Sequence, residues 1–169
     1  MNDNNEHIKL TQKANGGDAE AQVMLGFLSL DIKDLASAAK WYKMAAEQGH
    51  ARAQTILGSL YSGGIGVERN IKEAISWFRR GADAGDTQAK YELGIKYMKG
   101  DGVPQDDAEA VRWFSMAADD GLDWAQYLMG QMCAKGKGIM QSQENALAWF
   151  RKAAKQGHKK ALEILTIMN

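Results

Sequence analysis

Residues Ala110 to Cys133 read AVRWFSMAADDGLDWAQYLMGQMC, and two helical phases meet within them. Ala110, Trp113, Phe114, Ala117 and Ala118 fall at helical spacing, Gly121 interrupts, and Ala125, Leu128, Met129 and Met132 resume the same period. The stretch therefore reads as the end of one helix, a glycine stop and the start of another.

Both halves recur along the chain. Trp41-Tyr42, Trp77-Phe78, Trp113-Phe114 and Trp149-Phe150 stand 36 residues apart, and Gly49, Gly85, Gly121 and Gly157 close the units at the same interval. A third column is Ala21, Ala53, Ala89, Ala125 and Ala161, with Leu25-Gly26, Leu57-Gly58, Leu93-Gly94 and Met129-Gly130 behind the first four. Its first step is 32 rather than 36, because the first unit has LSLDIKD where later ones carry YSGGIGV, YMKGDGV and CAKGKGI. A fixed period in this range means stacked supersecondary units. Each unit reads as an A helix and a B helix whose small residues permit close approach, joined by a glycine-rich loop that is shorter in the first.

The pattern Ala-x3-Leu-Gly-x2-Tyr, then Gly-x-Gly-Val, then Ala-x2-Trp-Phe-x2-Ala-Ala-x2-Gly resembles the Sel1-like repeat over about residues 18 to 169. Departures are few: the first unit lacks the glycine loop, Cys133 replaces Tyr61 and Tyr97, and Ile139 replaces Val67 and Val103. The resemblance implies an all-α fold, a right-handed α-α superhelix of antiparallel helix pairs with about ten helices. The expected division is a capping helix in 1–17, repeats in 18–49, 50–85, 86–121 and 122–157, and a capping helix in 158–169, all one continuous solenoid domain. The caps, a B-type helix over 3–15 and an A-type helix in HKKALEILTIMN, follow because terminal apolar faces need shielding.

Composition bounds the function. The 169 residues carry 21 lysines and arginines against 21 aspartates and glutamates, so no basic surplus points to nucleic acid or to an anionic membrane. The charge is uneven all the same: residues 86–121 hold eight acidic and four basic groups, and 122–169 hold three acidic and seven basic. No stretch approaches the ~18 apolar residues of a membrane span. One cysteine makes no internal disulfide, which points to the cytoplasm, or to the periplasm if a signal peptide has been removed.

Catalytic constellations are sparse. Three histidines, His7, His50 and His158, form no metal-ligand spacing, and the latter two read as solvated residues just after the unit-closing glycine. Cys133 falls in a core column and reads as a buried structural thiol. The glycine loops follow a helix and lack the Gly-Lys-Ser/Thr of a phosphate cradle, while Asp106 and Asp107 suit the N-terminus of a B helix. Paired-cysteine members of the family are linked with β-lactam binding, and this chain lacks such pairs. The sequence thus predicts no enzyme, cofactor or metal.

By resemblance the A helices line a concave groove and dock a protein or peptide, in a chain expected to be monomeric. Beside the packing columns runs a strip that includes Phe27, Arg52, Gln88, Tyr91, Ile95, Met98, Trp124, Tyr127, Gln131 and Lys160. Unit two contributes small polar groups there, and Arg52, Gln88, Lys99, Lys135 and Lys160 would form a charged rim. Trp124, outside the 36-residue column, sits in a slot holding Arg52, Gln88 and Lys160 elsewhere. It is either an aromatic anchor for a partner, grouped with Tyr91 and Tyr127, or a ring folded back over the neighbouring turn. Three functions remain: an interaction scaffold, an immunity protein that plugs a secreted toxin, and, disfavoured by the missing constellations, a hydrolase.

Overall fold

The computed structural model describes residues 2–168; Met1 and Asn169, the outermost residues of the two expected caps, lie outside the described residues. Its helices are α1 (Asn2–Asn15), α2 (Ala19–Asp31), α3 (Leu35–Glu47), α4 (Ala51–Gly63), α5 (Ile71–Asp83), α6 (Thr87–Lys99), α7 (Asp107–Asp119), α8 (Asp123–Lys135), α9 (Gln143–Lys155) and α10 (Lys159–Met168). No strand occurs among the described residues, as the all-α reading requires.

The helices gather into two compact units, Met1–Asp86 with α1 to α5 and Thr87–Asn169 with α6 to α10. In the first, α2 pairs with α3 and α4 with α5, while α1 packs on α2 and α3 meets α4. In the second, α6 pairs with α7 and α8 with α9, while α10 packs on α9 and α7 meets α8. The helices α1 and α10 occupy the stretches read as caps.

Each A–B pair is keyed by a glycine and a ring. Gly26 faces Tyr42, Gly58 faces Phe78, Gly94 faces Phe114 and Gly130 faces Phe150, and a Cβ on any of these glycines would lie 2.5–2.9 Å from ring carbon atoms. The four rings are at most 3% exposed. Burying each contributes about 1.5–3 kcal/mol, which a larger residue in the notch would forfeit through overpacking. The residue after each tryptophan, more than the tryptophan itself, therefore fixes the pair: Trp41, Trp113 and Trp149 are only half-buried. Arg80 lies 4.6 Å from the Trp77 ring and Lys152 3.9 Å from the Trp149 ring, covering those indoles with charge.

Successive repeats are joined by a buried amide. Gln22 Nε2 donates to the Ala14 carbonyl at 2.9 Å, Gln54 to Ala46 at 3.1 Å and Gln126 to Ala118 at 3.1 Å, so an A helix satisfies a carbonyl in the last turn of the preceding B helix. The other end of that amide meets the residue capping the next B helix: Gln48 Nε2 donates to Gln22 Oε1 at 2.7 Å, and Gln156 to Gln126 at 2.9 Å. In the third repeat Lys90 replaces the glutamine and donates to Asp120 at 2.6 Å. That hydrogen bond holds the Asp120 carboxyl below its ordinary pKa. In the second repeat the capping residue is Ala84, and Gln54 Oε1 is left buried without a partner.

The short first turn is confirmed: three residues, Ile32 to Asp34, separate α2 from α3, and Lys33 takes φ 61°. In the second and fourth repeats the second glycine of the long loop lies against the preceding repeat. A Cβ on Gly66 would run into the carbonyl of Leu35, the first residue of α3, and one on Gly138 into that of Asp107, the first residue of α7.

The candidate interaction strip on the A helices

The strip positions a helical turn apart do a structural task that sequence reasoning missed. The residue after a unit-closing glycine stands at the start of the next A helix, and at His50, Asp86 and His158 it rests on strip side chains of the A helix before it, while Leu122 makes no side-chain cap bond. His50 accepts from Ala53 N–H through Nδ1 at 3.2 Å, and its Nε2 lies 3.1 Å from Glu20 Oε1. Asp86 accepts from the Thr55 hydroxyl at 2.9 Å and lies 3.9 Å from Arg52 Nη1.

His158 occupies the same position in the second unit. It accepts from Ala161 N–H through Nδ1 at 3.3 Å, and its ring stacks on Tyr127 with centroids 4.6 Å apart and planes 20° from parallel. Trp124 meets it edge-on at 4.5 Å and 80°. His50 and His158 are therefore N-caps and not merely solvated turn residues; His158 is 5% exposed.

Tyr127 also departs from expectation. It is 8% exposed, packs on Phe150 at 5.9 Å and accepts from Gln131 Nε2 through its hydroxyl at 2.8 Å, so its ring belongs to the core shared by α8, α9 and α10. Of the small polar groups in unit two, Thr55 is buried beneath Asp86 while Ser59 is exposed. The strip lies at the edge of the packing columns, and the arrival of the next repeat covers its inner half.

What remains open is the outer half. Trp124 keeps 47% of its surface in solvent and Phe27 64%, while Arg52 and Lys160 are exposed. Gln88 is half-buried and donates to Glu92 at 3.1 Å. Tyr91 is half-buried with its ring 5.9 Å from Phe114, and that burial pushes its hydroxyl pKa up. Ile95 and Met98 pack partly buried against the α7–α8 core. Trp124 and Tyr127 do touch, edge to face at 6.4 Å, but the predicted grouping of aromatics is a half-buried Tyr91, a buried Tyr127 and an exposed Trp124.

Cys133 is 1% exposed, and burial pushes its thiol pKa up, as a core thiol requires. Asp106 caps α7 by accepting from Glu109 N–H at 2.9 Å. Among the described residues no group of three or more His, Cys, Asp or Glu is placed to hold a metal ion. None of their helices is long and apolar enough to cross a membrane.

The Sel1 repeat model matches residues 19–50, 51–86, 87–122 and 125–158. Among solved structures, a protective antigen of uropathogenic Escherichia coli strains displaying an SLR fold is 38% identical, with a TM-score of 0.93 over 96% of this chain and 36% of that one. A Sel1 repeat protein from Oxalobacter formigenes is 37% identical, with a TM-score of 0.86 over 94% of this chain and 65% of that one. Cysteine-rich protein B of Helicobacter pylori, at 23% identity and a TM-score of 0.63, shares the fold over 78% of this chain and 94% of its own. This chain thus spans less than two thirds of the first two structures, and no curated protein matches it. Four matched repeats, keyed by the same glycine and ring, make the chain a member of the Sel1 repeat family.

Proposed function

We propose that the chain is a non-enzymatic scaffold that takes a protein or peptide partner on the outer half of its A-helix strip. Sel1-repeat proteins are typically protein-interaction scaffolds, and the fold supports the same role here. The observation that carries the reading to a position is Trp124. Its ring rests against His158 and Tyr127, yet it offers nearly half its surface to solvent. Tryptophan is enriched among the few residues that carry most of a partner's binding energy, and an indole this exposed is available for that role. Arg52 and Lys160, exposed on their own A helices, supply charge that bears on specificity and on-rate.

Capture of a partner from the native organism, identified by mass spectrometry, tests the reading and tells an adaptor from a toxin-neutralising protein. Trp124→Glu should lower capture at least about tenfold while leaving the thermal midpoint close to that of the parent. Undiminished capture by both Trp124→Glu and Phe27→Asp would contradict a partner seated on this strip.

A further inference from the structure

His50, Asp86 and His158 each follow a unit-closing glycine and meet side chains of the preceding A helix, and one of them lacks a partner atom. In the first unit His50 Nε2 faces the Glu20 carboxylate at 3.1 Å, and Asp86 faces the Arg52 guanidinium. His158 has the same capping bond through Nδ1, so in its neutral form the proton sits on Nε2. That Nε2 is buried with no hydrogen-bond partner, in a residue 95% removed from solvent. The position that supplies the Glu20 carboxylate in the first repeat is here Trp124, whose indole stands edge-on to the imidazole and is itself half exposed. A buried donor without an acceptor is costly, and native proteins seldom retain one without a use.

We infer that His158 Nε2–H is a carboxylate-binding position, occupied by a glutamate or aspartate side chain of an acidic partner when the Trp124 indole swings outward. The partner's carboxylate would take the place that Glu20 takes at His50. Residues 122–169 hold seven basic and three acidic groups, and Lys159 and Lys160 lie exposed immediately after His158, so the field around the site favours an acidic segment over a basic one. The displaced indole keeps its apolar face available to the same segment. The inference rests on the proposed partner site at Trp124 and specifies its chemistry.

Titration with an oligoglutamate peptide tests it, followed by the histidine side-chain and Trp indole signals in nitrogen–proton correlation spectra. In the parent protein, the His158 Nε2 and Trp124 indole resonances should shift together and saturate, and an oligoglutamine peptide should leave both in place. Trp124→Glu supplies an internal carboxylate. His158→Asp keeps the cap, as Asp18 and Asp106 do, and removes the donor. Each should weaken oligoglutamate binding at least about tenfold, whereas Leu162→Glu, which adds the same charge elsewhere on α10, should bind nearly as the parent does. Absence of a saturable His158 shift in the parent would overturn the inference. So would parental affinity in both Trp124→Glu and His158→Asp, which would mark the peptide as held by surface lysines alone. Loss of partner capture by Trp124→Glu with no oligoglutamate response would remove the carboxylate position and leave the partner strip standing.

Discussion

The caps at Asp86 and His158 solve one problem in two chemistries. Both residues follow a unit-closing glycine and both rest on strip side chains of the preceding A helix. Asp86 is held by the hydroxyl of Thr55 and the guanidinium of Arg52. His158 is held by the stacked ring of Tyr127 and the perpendicular ring of Trp124. The polar cap needs a buried hydroxyl and an exposed charge, so it leaves little apolar surface outside. The aromatic cap needs two large rings, and only the inner one can be buried. The exposed face of Trp124 follows from that geometry.

The comparison breaks most sharply at the inner position. Tyr127→Ala should cost about 3–5 kcal/mol, because the cavity opens beneath His158 and beside Phe150 and strands the Gln131 amide. Thr55→Val keeps the shape and loses one hydrogen bond to a carboxylate, for about 1–3 kcal/mol. Urea unfolding of both variants measures the contrast, and equal losses would mean that the two caps do not differ in what they bury.

A gain is expected from Ala84→Gln. Gln48 and Gln156 donate from the same capping position to the amide of their own A helix, whereas Gln54 Oε1 has no donor. Restoring one should raise stability by about 0.5–1.5 kcal/mol, read as a higher denaturant midpoint at constant slope. The smallest effect belongs to the exposed outer position of the polar cap. Arg52→Ala should change stability by less than about 0.5 kcal/mol, with the difference vanishing in high salt, since a 3.9 Å pair on a 60%-exposed side chain is well screened.

Acid should find a different weak point, in the second unit. The Asp120 carboxyl is held below its ordinary pKa by Lys90 and Thr87, so the pair contributes stability above the unfolded carboxyl's range and loses it as pH falls through the lower folded value. Asp120→Asn should flatten the acid limb of a stability profile measured below about pH 4.

The repeat was legible in the sequence because helix phase and a 36-residue period are properties of one chain read in order. The glycine notch was legible too, since Gly26, Gly58, Gly94 and Gly130 recur with their rings. The cap pairs were not, because helix phase locates a residue on its own helix and says nothing of what the next repeat lays over it. That is why Tyr127 read as surface and proved buried, and why His158 read as a turn residue and proved a cap. A signal existed in the paired columns: Glu20 with His50, Arg52 with Asp86 and Trp124 with His158 change together, charge for charge and ring for ring. The Gln22, Gln54 and Gln126 column was likewise visible, with Lys90 and Asp120 as its substituted pair.

Trp124 packs on the His158 cap and also exposes its ring. A double-mutant cycle of Trp124→Ala and His158→Ala, measured by unfolding free energy, tests that most directly. The perpendicular, edge-on geometry predicts a coupling of about 0.5–1.5 kcal/mol between the two positions. Losses that add to within about 0.3 kcal/mol would contradict it and return Trp124 to an independent surface residue.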